Sequence, residues 1–95
     1  MLLLSRFKVI GHSMEPTINN NSSILLCGLP YWFKNPSVND IVGFKINNKV
    51  LIKRVTKISN NKYFLQGDNK EDSLDSRKLG LISKDKILGK VIYKF

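Results

Sequence analysis

A serine that does chemistry needs a base, and the stretch Gly11-His12-Ser13-Met14-Glu15-Pro16-Thr17 narrows the choice of base at once. Ser13 stands between a flexible glycine and a proline-stopped turn, a setting that suits an exposed nucleophile. The one histidine of the chain, His12, is its direct neighbour. Adjacent side chains point apart in extended structure, so a serine–histidine–aspartate triad is disfavoured. If Ser13 is a nucleophile, another group must take its proton, and lysine is the known substitute.

Lys53 is the lysine to consider. In Val50-Leu51-Ile52-Lys53-Arg54-Val55, strand alternation puts Leu51, Lys53 and Val55 on one face and Ile52 and Arg54 on the other. A lysine between two apolar neighbours of its own face loses hydration. That disfavours the ammonium and lowers the pKa, as a general base at neutral pH requires. The plainer alternative is a lysine whose stem packs while its head reaches water. A long polar loop, Gly67 to Gly80, offers partners: Ser73 and Ser76 carry hydroxyls able to aim a neutral amine, and Asp75 and Arg77, two apart, can form a bracing pair. Its alternative is an ordinary charged surface loop.

The elements that must position these residues read as short strands. Residues 5–10 run into the serine turn, and Ser13 to Ile18 form a turn or one helical turn ended by Pro16. Ser23 to Leu29 is an apolar run of strand length with Gly28 as a bulge. Residues 40–46 and 49–58 make a hairpin across Asn47-Asn48, and Asn60-Asn61 repeats the device before residues 62–66. Residues 86–95 close the chain as a strand with Gly89 as a bulge candidate. The expectation is one all-β domain over residues 1–95, a small partly closed sheet or barrel.

Composition adds bounds. The formal net charge is +9, but the lysines are dispersed and only three residues are arginine, so a solvated basic surface is the plain reading. A single cysteine, Cys27, excludes an internal disulfide and is assigned to packing. No stretch reaches the roughly 20 apolar residues that span a bilayer. That points to a soluble chain, a membrane-associated one, or the remainder of an anchored one. Leu29-Pro30-Tyr31-Trp32-Phe33 is expected either to fold over the core edge with Trp32 half buried, or to form an apolar tip that touches lipid or a leader peptide.

Four stretches together carry a resemblance. Ser13-Met14-Glu15-Pro16-Thr17, Asn39-Asp40-Ile41-Val42-Gly43-Phe44, Lys53-Arg54-Val55, and Gly67-Asp68-Asn69 with Ser73 and Asp75-Ser76-Arg77 through Gly80 resemble, in order, the sequence boxes of the type I signal peptidase family. Each box alone is weak; the ordered set covers nearly the whole chain. The resemblance implies a mostly β catalytic core and a Ser/Lys dyad that needs no metal or cofactor. Ser13 would be the nucleophile and Lys53 the base. Ser73 would orient Lys53, with Ser76 in support; Asp75 would pair with Arg77, and Asp68 would brace Arg54. The Ser13 N–H would serve the oxyanion hole. Gly11 stands where some members carry a second hydroxyl donor. An extended leader of a preprotein would add as a strand, with small residues seated near Phe7, Val9, Met14 and Leu51.

The chain departs from that family in two ways. Typical members begin with a membrane-spanning helix, whereas here the nucleophile follows the first residue closely. Only Thr56 to Gln66 separates the lysine from the last box, where many members carry a larger β insertion. A minimal core of this kind is also similar to the maturation proteases of nickel-type superoxide dismutase. Two further classes fit less well. A self-cleaving repressor would need a DNA-binding domain and a linker. A small basic nucleic-acid-binding barrel leaves the serine turn and the last box without a purpose, so no nucleic-acid partner is expected.

Overall fold

The computed structural model describes residues 4–69 and 80–95. Strands dominate it: β1 (Leu4–Lys8), β2 (Ser23–Cys27), β3 (Ile41–Ile46), β4 (Lys49–Ser59), β5 (Lys62–Gln66), β6 (Ile82–Ser83) and β7 (Ile87–Lys94), with one short helix, α1 (Pro30–Phe33), and a 3₁₀ turn at Lys84–Lys86. They form one antiparallel sheet in the order β1-β2-β7-β3-β4-β5-β6. The all-β expectation holds, and the sheet is open.

Asparagine makes the tight turns. Asn47 and Asn48 have φ of 49° and 65°, and Asn60 and Asn61 have 50° and 63°. Positive φ at both central residues is what a two-residue hairpin needs to match strand twist, and asparagine tolerates it. The register that follows is strict. Val42 lies opposite Lys53, and Phe44 opposite Leu51.

The two sheet faces bury separate clusters. One contains Tyr31, Val42, Phe44, Val55, Tyr63, Leu65, Ile82 and Ile87, with Leu51 packed against it. The other contains Met14, Ile18, Ile24 and Ile52, joined by Phe7, Val9, Ile41, Val50 and Val91. The division of β4 between them follows the alternation of its side chains, with Ile52 on one face and Leu51 and Val55 on the other.

Some local expectations are corrected and others hold. The serine turn is not ended by Pro16: the Ile18 N–H reaches the Met14 carbonyl at 2.9 Å, so the turn continues through the proline, whose peptide bond to Glu15 is cis. Gly28 is not a bulge. The register shifts between Leu25 and Leu26, and Gly28 follows β2 and accepts the Tyr31 N–H. The irregularity expected at Gly89 is present: the β3–β7 register shifts between Gly43, paired with Gly89, and Phe44, paired with Ile87, leaving Leu88 as the extra residue. Gly89 itself is needed for space, because a Cβ there would lie 2.6 Å from the Cys27 carbonyl oxygen. Within the aromatic stretch the expectation of a half-buried Trp32 at the core edge holds, and Tyr31 is the anchor. Tyr31 is 2% exposed while Trp32 is 53% and Phe33 83% exposed. In a single helical turn, only one of three consecutive aromatics can face the sheet.

Candidate active site

The serine turn is fastened at both ends. Gly11 has φ of +111°, a region that favours glycine, and its N–H donates to Asn20 Oδ1 at 2.8 Å. Glu15 spans the turn. Its Oε1 lies 2.9 Å from His12 Nδ1, and its Oε2 accepts the Asn20 N–H at 3.2 Å. The Asn20 N–H and the histidine hold the Glu15 carboxyl below the usual carboxylate range. His12 is thereby engaged with Glu15, and Met14, 1% exposed, anchors the turn in the core.

The turn Gly67-Asp68-Asn69 comes back to meet it. The Asn69 N–H donates to the Ser13 carbonyl at 2.8 Å, and Asn69 Nδ2 donates to the His12 carbonyl at 3.0 Å. Asp68 receives Arg54 Nε and Nη2, each at 2.8 Å, and the Thr17 hydroxyl at 2.6 Å. Arg54 Nη1 reaches the Asn39 carbonyl at 3.0 Å. Two parallel bonds from a planar guanidinium fix direction as well as distance. Arg54 chiefly, with Thr17 adding to it, holds the Asp68 carboxyl below its ordinary value, and Asp68 in turn raises the guanidinium.

Lys53 precedes Arg54 on β4 and is 3% exposed, the one buried charged side chain among the described residues. One three-residue turn thus grips the serine's own carbonyl and the arginine beside the lysine. Ser13 and Lys53 come from stretches 40 positions apart, and Asp68 and Asn69 tie those stretches together.

A sequence model for the family described as signal peptidase, peptidase S26, matches residues 1–58 and 56–95. The chain belongs to this signal peptidase family. It is 34% identical over 79 residues to a signal peptidase I of Buchnera aphidicola subsp. Schizaphis graminum, an overlap covering 81% of this chain and 22% of that protein. It is 53% identical over 38 residues to signal peptidase IB of Staphylococcus aureus, covering 40% of this chain and 20% of that protein. The chain therefore spans about a fifth of the length of these signal peptidases.

Against the family's boxes, the remaining site expectations fall out unevenly. Ser73, Asp75, Ser76 and Arg77 lie outside the described residues. Phe7, Val9 and Met14 come together in one apolar cluster, whereas Leu51 packs against the other. Two surface cavities, of about 350 and 210 Å³, are lined by none of these four residues, nor by Ser13 or Lys53. Sequence reasoning missed Thr17 and Asn69 as partners of the turn. The signal was available: a threonine and an asparagine, each inside a box, are short polar side chains suited to bonding backbone or carboxylate.

Proposed function

We propose that this chain is the catalytic part of a serine endopeptidase that removes an N-terminal signal or leader peptide with a Ser13/Lys53 dyad. The observation that carries the reading is Lys53 itself: a 3%-exposed lysine beside an arginine bound to Asp68, whose neighbour Asn69 binds the Ser13 carbonyl. Removing an ammonium from water favours its neutral form. Neutral Lys53 Nζ accepts the proton of Ser13 Oγ as that oxygen attacks the scissile carbonyl carbon. The tetrahedral oxyanion collapses when the lysine returns the proton to the leaving amine, leaving an acyl-serine ester. Water, deprotonated by the same lysine, then attacks the ester, and the lysine returns that proton to Ser13 Oγ as the acid leaves. The Ser13 N–H is the oxyanion donor in this reading, Asp68 and Arg54 hold β4 against the serine turn, and Ser73, Ser76, Asp75 and Arg77 support the lysine.

The substrate is an extended preprotein segment. Among the described strands, β5 pairs with β4 only over residues 54–59, short of residues 49–52. β1 pairs with β2 alone among the described strands. These two edges, near Leu51 and near Phe7 and Val9, suit strand addition by a leader.

Ser13→Ala and Lys53→Ala are each expected to abolish cleavage, by 10³-fold or more as an order of magnitude, with circular dichroism unchanged. The assay uses a peptide with alanines before the cut, with a nickel-dismutase leader as competing substrate. Full activity of purified Lys53→Ala would sink the mechanism, and cleavage of the second peptide alone would reassign the substrate.

The exposed Leu29, Trp32 and Phe33, on a chain of net charge +9, support peripheral contact with an anionic membrane. Among the described residues no helix is long and apolar enough to cross a membrane. Trp32→Ala is expected to sediment several-fold less with anionic liposomes; equal sedimentation removes the membrane contact.

A further inference from the structure

The sheet face that carries Lys53 holds a polar cluster for which the dyad gives no reason. Val42 pairs with Lys53 on one side and with Lys90 on the other. Directly paired residues project from the same face, so the two lysines flank a fully buried valine in one row. Strand spacing puts their backbones about 10 Å apart.

Asp40 sits beside this row. Its carbonyl accepts the Val55 N–H at 2.8 Å, which extends the β3–β4 ladder by one position. Its carboxylate meets the hydroxyl of Tyr31, a member of the cluster formed by Val42 and Val55, at 2.8 Å. Asp40 is therefore diagonal to Lys53 on one face, a spacing of roughly 7–8 Å.

A carboxylate so placed stabilises an ammonium, which opposes what a lysine base requires. Among the described residues three donors engage it: the Ser37 N–H at 3.0 Å, the Tyr31 hydroxyl at 2.8 Å and Lys90 Nζ at 3.5 Å. Burial raises the Asp40 carboxyl, but these donors outweigh it and hold the group ionised below the usual range. Of the three, Lys90 alone brings a full charge. Among the described residues the other ionisable groups on this part of the face are Tyr31 on α1, Tyr63 on β5 and Cys27 on β2, beside Lys53 itself.

We propose that Lys90, acting through Asp40, is a positioning residue for the Lys53 base: it offsets the carboxylate's charge and so favours the neutral amine. This rests on Lys53 being the base.

The test is the pH dependence of kcat/KM on a leader peptide, whose acid limb reports the base of the free enzyme. Lys90→Met is expected to move that limb up by about half to one pH unit, the scale of one charge about 10 Å away under partial screening. Lys90→Arg restores the native limb, and Asp40→Asn moves it down. Coincident profiles for the native protein and Lys90→Met overturn the proposal, even if activity or melting temperature falls. If Asp40→Asn does not fold, the Lys90→Met and Lys90→Arg pair decides. A fully active Lys53→Ala removes the dyad itself. An inactive Lys53→Ala with an unmoved Lys90→Met limb removes only the role of Lys90.

Discussion

Asp68 and Asp40 each accept from one cation and one hydroxyl, and each lies against β4. Asp68 takes both arms of Arg54 at 2.8 Å and the Thr17 hydroxyl at 2.6 Å. Asp40 takes the Tyr31 hydroxyl at 2.8 Å and Lys90 at 3.5 Å. The cation makes the difference. A guanidinium fork locks an angle, and here it clips the serine turn's partner to the strand carrying Lys53. An ammonium is a point charge on a flexible stem, so it supplies field without fixing geometry. One aspartate holds parts in place; the other, in our proposal, has its charge managed.

Urea unfolding at two pH values tests that contrast. The largest loss is expected for Arg54→Ala, about 2–3 kcal/mol at pH 7, because the Arg54 and Asp68 side chains are only 27% and 18% exposed and three charge-assisted bonds disappear. Tyr31→Phe follows at about 1 kcal/mol, one neutral donor removed from a partly buried carboxylate. Lys90→Met comes last, below about 0.5 kcal/mol, since its side chain is 34% exposed and solvent screens it. Lys90→Met as the most damaging of the three would break the comparison. Acid sharpens it. The Asp68 carboxyl is depressed in the folded state, so its contribution is complete above the ordinary value of 3.8 and is lost as pH falls through the depressed value. The Arg54→Ala deficit should therefore shrink below that pH. A deficit independent of pH would assign the loss to packing of the arginine stem.

The serine turn and the arginine–lysine pair were legible because their chemistry is local: a glycine, a proline and a charged pair on an alternating strand. The hairpins were legible for the same reason, each Asn-Asn turn lying between two β-rich runs. Which aromatic is buried was not legible. Tyr31, Trp32 and Phe33 have similar apolar mass, and the choice depends on how one helical turn meets the sheet. The Asp40 cluster was partly legible. Alternation places Asp40 with Val42 and Phe44, and a carboxylate on an apolar face demands partners. Which partners answer depends on β7, 50 residues later, lying next to β3. The register shift at Leu25 comes from the fit between strands distant in sequence, and no single strand encodes it, whereas Gly89 signalled the one at Gly43.

The Asn47-Asn48 and Asn60-Asn61 turns have a consequence for assembly order. They make β3, β4 and β5 a continuous meander of near-neighbour contacts. The bonds that seat the serine turn span much longer separations, 51 residues from Thr17 to Asp68 and 57 from His12 to Asn69. Short loops close at lower entropic cost and sooner. Pulse-labelled hydrogen exchange should show the β3–β5 amides protected before those of Asn69 and Phe95, whose acceptors are the Ser13 and Ser23 carbonyls. Simultaneous protection would refute this sequence of events. With that order, Lys53 has its strand before Ser13 has its seat. With the proposed dyad, an emerging chain would stay inert as a protease until its two distant parts had met, and self-cleavage during synthesis would be avoided without any inhibitor.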